Sequence, residues 1–285
     1  MPRPFLSAVE LAEYAGTDLP AAPADGVSLF SRQRAGRNIP TARGPSGLVI
    51  PLSGNPMWAV KTCFFGGTGN GTLTQIFNYS AGASGTAGTA NVATTDLFSS
   101  VRRIRYTSAA AAASAAGNRH NIAQFWRGNA AGLGGFFFVA QFGIATFQSG
   151  MAAFVGMGPA AALGNVNPNT LTHCAGFAFD NSAGQTTWQF QSNDGAGTAT
   201  QVNTGLAANV SGTHWYEARM FCAPNGSAIG WSLEQMNTGT LVEGSATTDL
   251  PGNTTFMGAQ ITGNTKAGTA AIVVDISFLY VESDF

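Results

Sequence analysis

From about residue 56 onward the chain repeats one pattern: short aromatic and β-branched runs separated by loops of Gly, Asn, Ser and Thr. Runs of this length with turn residues between them fit antiparallel β-structure. The candidate strands are MWAVKTCFF (57–65), TLTQIFNY (72–79), VRRIRYT (101–107), FFFVAQFGIAT (136–146), AAFVGM (152–157), AGFAFD (175–180) and TTWQFQS (186–192). HWYEARMF (214–221), AIGWSLEQM (228–236), TFMGAQI (255–261) and AAIVVDISFLYVES (270–283) complete the set. No strict repeat period runs through them, which argues against a solenoid or propeller. Charged residues make up 9% of the chain, too few to coat the outer faces of a helix bundle. A net charge of −1 removes the electrostatic footprint that nucleic-acid binding requires. The pattern predicts an all-β sandwich or barrel whose solvent faces carry hydroxyls and amides.

The last run predicts a strand covered on both faces. Ile272, Val274, Ile276, Phe278 and Tyr280 alternate onto one side, and Val273, Asp275, Ser277, Leu279 and Val281 onto the other. The Ala-rich stretch SAAAAASAAG (108–117) is expected to be a loop or a helical turn. Cys63, Cys174 and Cys222 lie far apart in apolar runs and are expected to be buried free thiols.

Residues 1–55 are different. They hold five of the thirteen basic residues, and FLSAVELAEYAG (5–16) has the spacing of a short amphipathic helix. LPAAPADG then reads as a Pro-rich linker and VSLFSR (27–32) as a strand. Arg32, Arg34, Arg37 and Arg43 follow among Gly and Pro turns. They read either as a solvated extended arm or as an arm that docks on a larger assembly through Arg–carboxylate pairs. The division expected is 1–55 and 56–285. The start of the chain lacks the basic and apolar pattern of a secretory signal, so folding in a cytoplasm is expected. No apolar run reaches the roughly 18 residues of a membrane helix.

Ionisable chemistry is sparse. His120, His173 and His214 fall in no zinc-ligand pattern, so neither metal nor cofactor is expected. GGTGNGT (66–72) lacks the lysine of a phosphate loop and reads as a β-turn. Asp180 and Asp194 flank the TTWQFQS strand; they read as turn formers, as a metal or sugar contact, or as a paired-acid centre. Four of the five tryptophans, Trp58, Trp188, Trp215 and Trp231, sit in strand-like runs. Trp126, beside Arg127 in QFWRGN, does not, and its ring and amide neighbours fit stacking on a sugar. Trp126, Arg127, Asp180 and Asp194 are therefore the candidate glycan contacts.

The order of features resembles structural proteins of tailed bacteriophages. LPAAPADGVSLFSRQRAGRNIPTARGPSGLVIPL looks like the attachment end of phage tail-fibre and collar-type proteins. FFFVAQFGIAT, MAAFVGMG, LTHCAGFAFDNSAGQTTWQFQSNDGAGTATQVNTG and HWYEARMFCAPNGSAIGWSLEQMNTGTLVEG are similar to lectin-like jelly-roll domains on such fibres. The resemblance implies a concanavalin-like antiparallel jelly-roll preceded by an extended N-terminal arm. It also implies a homotrimer located in the virion, with other virion proteins and a host surface polysaccharide as partners, and with Arg32, Arg34, Arg37 and Arg43 on the attachment arm. The expected role is a non-enzymatic tail fibre or tail-associated appendage. A capsid decoration or cement protein is the alternative, and a glycan depolymerase or esterase a third reading.

Overall fold

Alternation of period two, set by the strand pleat, organises the chain from its first described segments. The computed structural model describes residues 11–15, 18–45, 49–51, 61–66, 75–76, 79–81, 85–120, 123–159 and 164–283. Contacts divide the chain into two compact units, 1–55 and 56–285.

In the first unit β1 (Glu13–Tyr14), β2 (Ser28–Arg34), β3 (Arg37–Arg43) and β4 (Val49–Pro51) form one sheet in that order. Ala35 and Gly36, both at positive φ, make the tight two-residue turn between β2 and β3. Glu13 and Tyr14 are strand rather than helix, pairing parallel to β2. The reason is two-fold alternation. The Tyr14 ring meets Phe30 edge-on at 5.5 Å, while the Glu13 carboxylate accepts from Gln33 and Asn38 at 3.2 and 2.8 Å. Residues 5–10 and 16 of the expected helix lie outside the described residues.

The second unit begins with β5 (Lys61–Gly66), β6 (Gln75–Ile76), β7 (Tyr79–Ala81), β8 (Thr86–Ala90) and helix α1 (Leu97–Ser100). It continues through β9 (Arg103–Thr107), β10 (Ala115–His120), β11 (Phe136–Thr146), β12 (Ala152–Gly158), β13 (Cys174–Asp180) and β14 (Thr187–Asn193). It ends with β15 (Thr200–Ala207), β16 (Tyr216–Cys222), β17 (Ile229–Gln235), β18 (Thr240–Ala246), β19 (Gly258–Asn264) and β20 (Val273–Ser283). One sheet runs β15-β14-β13-β12-β19-β10-β7-β6. The other runs β18-β17-β16-β11-β20-β9-β8, with β5 also pairing to β20. All pairings in both sheets are antiparallel.

The core lies between these two sheets. Phe177, Phe179, Trp188 and Phe190 enter from one, and Phe138, Phe142, Tyr216 and Trp231 from the other. Trp188 meets Phe142 and Phe179 edge-on, and Phe190 stacks on Trp231 at 5.1 Å. A second cluster of Phe154, Cys174 and Ala178 covers the outer face of the first sheet, with Leu171 packed on it. The strap before β13 is pinned there by Gln191 donating to the Pro168 carbonyl at 2.7 Å and Asn264 to that of Val166 at 3.0 Å.

Two sequence expectations are corrected here. The alternation in β20 reverses midway: Gln141 pairs with Phe278 but Phe142 with Ile276, so Ser277 is an inserted bulge residue. Ile272, Val274 and Ile276 face the core, and then Leu279 and Val281 do. The Ala-rich stretch is loop only to residue 114; Ala115–Gly117 open β10. Their small side chains suit the crowding there: a Cβ on Gly117 would stand 2.8 Å from the Thr262 backbone.

Candidate functional site

The site is built at one rim of the sandwich by four loops. The first precedes β11. Its Phe125 makes an isolated antiparallel bridge to Met257, with Phe125 N–H donating to the Met257 carbonyl at 3.1 Å and the reverse bond at 2.6 Å. Both side chains are buried, so pleat alternation turns Trp126 and Phe256 together to the outward side. Their rings lie 5.4 Å apart, inclined by 35°.

Arg127 ties three loops together. Its Nε donates to the Pro251 carbonyl at 2.7 Å and its Nη1 to that of Gly226 at 2.9 Å. Its own carbonyl accepts from Asn225 at 2.8 Å and Gly135 at 3.1 Å. Gly135 is required where it stands. Its φ is +80°, and a Cβ would come within 2.7 Å of the Pro224 nitrogen.

The fourth loop follows β14. Asp194 Oδ1 accepts from Ala196 N–H at 2.9 Å, a local turn bond, and Asp194 N–H donates to Asp249 Oδ1 at 2.8 Å. The other oxygen of Asp249 accepts from Thr200 N–H at 2.7 Å. His173 backs this loop: its Nδ1 accepts from Gly252 N–H at 3.3 Å, and its ring sits where a Cβ on Gly195 would be. His173, Asn225 and Asp249 have φ of 48°, 53° and 53°. They are three of the six left-handed non-glycine residues among those described, and backbone strain of this kind gathers at functional sites.

Between these loops opens a cleft of about 370 Å³ lined by Arg127, Asp194, Asn225, Gly226, Ser227, Thr247 and Leu250. It offers a guanidinium, a carboxylate, an amide and two hydroxyls over the side chain of Leu250. That mixture makes several directed hydrogen bonds to a hydroxyl-rich ligand. The Cys222 and Cys174 thiols are buried, and burial raises them to about 11 and about 12. Both are protonated at neutral pH and unsuited to nucleophilic work.

Arg127 and Asp194 thus line one cleft; Trp126 sits beside Arg127 in the chain but outside that lining, and Asp180 lies elsewhere. Asn193, next to Asp194, pairs with Cys174 at the start of β13, while Asp180 ends that strand. Six residues of strand place the two acids about 20 Å apart. A paired-acid centre or a metal held jointly by them is therefore excluded. Asp180 instead caps a short turn by accepting from Ser182 N–H at 3.0 Å and pairs with Lys266 at 3.7 Å.

Arg32, Arg34, Arg37 and Arg43 share one face of the β2–β3 hairpin with Phe30, Ile39 and Thr41, as the register requires. Arg34 is 1% exposed, so this is not a uniformly solvated extended arm. Arg43 donates to the Pro20 carbonyl, folding the Pro-rich linker back on the hairpin. The GGTGNGT loop beyond Gly66 and the side chain of Cys63 lie outside the described residues. Asn225, Ser227, Thr247, Leu250 and Phe256 were not singled out by sequence.

No family model matches the chain, and no curated protein matches it. Among solved structures, lectin II from Ulex europaeus is similar at a TM-score of 0.52 and 11% identity, over 80% of this chain and 100% of that one. The lectin UEA-II complexed with galactose gives 0.51 and 12%, with the same coverage. A protein of unknown function from Shewanella oneidensis MR-1 gives 0.50 and 12%, over 78% of this chain and 85% of that one. At such identities the likeness speaks to fold alone. It agrees with the two antiparallel sheets and the core between them: the 56–285 unit is a lectin-like, concanavalin-type jelly-roll.

Proposed function

We propose that this protein is a non-enzymatic structural component of a tailed-bacteriophage virion, a tail fibre or tail-associated appendage, whose jelly-roll binds a host surface glycan. The observation that carries the glycan reading is the Arg127–Asp194 cleft on a lectin-like fold, with the Trp126–Phe256 ring pair carried by the same loops that supply Arg127 and Leu250. A ring pair supplies an apolar platform for a sugar face, and the cleft supplies directed bonds to its hydroxyls. Asp194 is the one carboxylate among the described residues lining the cleft, so the reading is of binding and not of paired-acid hydrolysis. The virion role, the homotrimer and the attachment function of residues 1–55 rest on the sequence resemblance. They belong to the same reading.

The test is binding of purified, labelled protein to host cells beside binding to particles that lack it. Saturable cell binding, competed by surface polysaccharide and lost in Trp126→Ala with Asp194→Ala, is expected. Binding to particles alone would replace this reading with a decoration protein. Loss of polysaccharide viscosity on incubation would replace it with a depolymerase.

A further inference from the structure

We infer that the cleft takes an acidic sugar, a residue bearing a carboxylate beside vicinal hydroxyls, as in a uronic-acid-containing polysaccharide. This rests on the glycan reading above and narrows it. The argument begins with Arg127. Two of its five N–H groups hold backbone carbonyls, one on Nε and one on Nη1. Those bonds fix the guanidinium, so its position is set before any ligand arrives. The remaining N–H groups, one on Nη1 and two on Nη2, have no protein acceptor among the described residues. They form the planar fork that matches a carboxylate.

Asp194 supplies the opposite half. Its Oδ1 is held by Ala196 N–H, while Oδ2 has no partner among the described residues. Arg127 and Asp194 line the same cleft, yet no ion pair joins them. The cleft has therefore not neutralised itself: a fixed cation and a fixed carboxylate face the same space separately. A purely neutral sugar satisfies Asp194 by donating hydroxyl protons but gives the guanidinium no countercharge. A carboxylate at one end and a vicinal diol at the other satisfy both. Charge-assisted bonds of this kind are about twice as strong as neutral ones. Asn225, Ser227 and Thr247 complete the lining with groups that both donate and accept.

Titration calorimetry with a panel of uronic-acid-containing polysaccharide fragments tests this. Each fragment is paired with its carboxyl-reduced form, which keeps the stereochemistry and replaces the carboxylate by a hydroxymethyl group. A sulfated neutral fragment is the control for charge alone. The expected result is binding of at least one acidic fragment, with at least tenfold weaker binding of its reduced form and of the sulfated control. Arg127→Lys, which keeps the charge and loses the fork, is expected to lower acidic-fragment affinity at least tenfold and to narrow the ratio between the acidic fragment and its reduced form. If that variant does not fold, the paired comparison on the unaltered protein stands by itself. Equal binding of acidic and reduced fragments overturns the acidic inference and leaves the glycan reading intact. Equal binding of the sulfated control overturns carboxylate recognition in favour of charge alone. Binding of neutral glycans only overturns the inference, and absence of binding to any glycan overturns both readings.

Discussion

Phe256 stands directly across from Trp126 on the outward side of the Phe125–Met257 bridge, and 47% of its surface is exposed. A ring this exposed adds little to the core, so under the proposed glycan reading the pair serves as a contact surface. Truncating Phe256 to Ala removes the outer wall of the pair without opening a core cavity. The thermal midpoint is expected to move little, while glycan affinity falls about two- to twelvefold, the range of a ring contact of about 0.5–1.5 kcal/mol. Calorimetry beside a melting curve reads both. Unchanged affinity in the Trp126→Ala, Phe256→Ala double variant would remove the rings from the site.

Asp275 is fully buried on the outer face of its sheet and is held by Arg103 at 2.7 Å and by Arg105 at 2.8 and 2.9 Å. Arg103 also lies over the Phe98 ring at 4.9 Å. Asp275→Asn strands two guanidiniums, one of them buried, without their countercharge. A loss of about 3–5 kcal/mol in urea unfolding is expected. Arg105→Ala should cost less, because that side chain is one-third exposed and Arg103 remains paired.

His120 is buried beside Phe125, and burial lowers its pKa. The folded chain therefore prefers the neutral ring. As pH falls below the ordinary value of 6.5, the unfolded chain gains a proton that the folded chain resists, and stability declines. The melting temperature is expected to fall between about pH 6.5 and pH 5. A smaller fall in His120→Asn would assign the effect to this ring, and an identical fall would assign it elsewhere.

Cys174 and Cys222 give a test of opposite sign. Their raised pKa values keep both as thiols in the folded chain, so stability is complete below the ordinary thiol range. It declines as pH rises above about 9, where the unfolded chain ionises first. At pH 8 both are expected to resist iodoacetamide until denaturant is added, as read by peptide mass spectrometry. Rapid labelling of native Cys174 would contradict its burial under the Leu171 strap.

Sequence periodicity was a good guide to strands whose apolar faces are dense. FFFVAQFGIAT coincides with β11, and AGFAFD and TTWQFQS fall within a residue of β13 and β14. It missed Thr86–Ala90, Ala115–His120, Thr200–Ala207 and Thr240–Ala246. Those strands are rich in Gly, Ala, Thr and polar residues, and the third and fourth are sheet edges, where half the bonding row and much of one face meet solvent. Their strand state comes from the neighbour they pair with.

The candidate site divides the same way. Trp126, Arg127 and Asp194 stood out as residue types, because a tryptophan outside a strand pattern and an acid in an Asn-Asp-Gly turn are chemically conspicuous. Asp180 stood out on the same grounds and is elsewhere, since a strand of seven residues separates its end from the rim. The sequence by itself determined an all-β chain with Cys174 and Cys222 as free buried thiols, because hydrophobic alternation, turn residues and the scarcity of charge are local properties. Only the tertiary structure decided that Ser277 reverses the faces of β20 and that Phe256 meets Trp126. It also brought residues 127, 194, 225 and 247 to one cleft. Those facts depend on register and on which strands become neighbours, and register is set by packing across the whole sandwich and not by any segment within it.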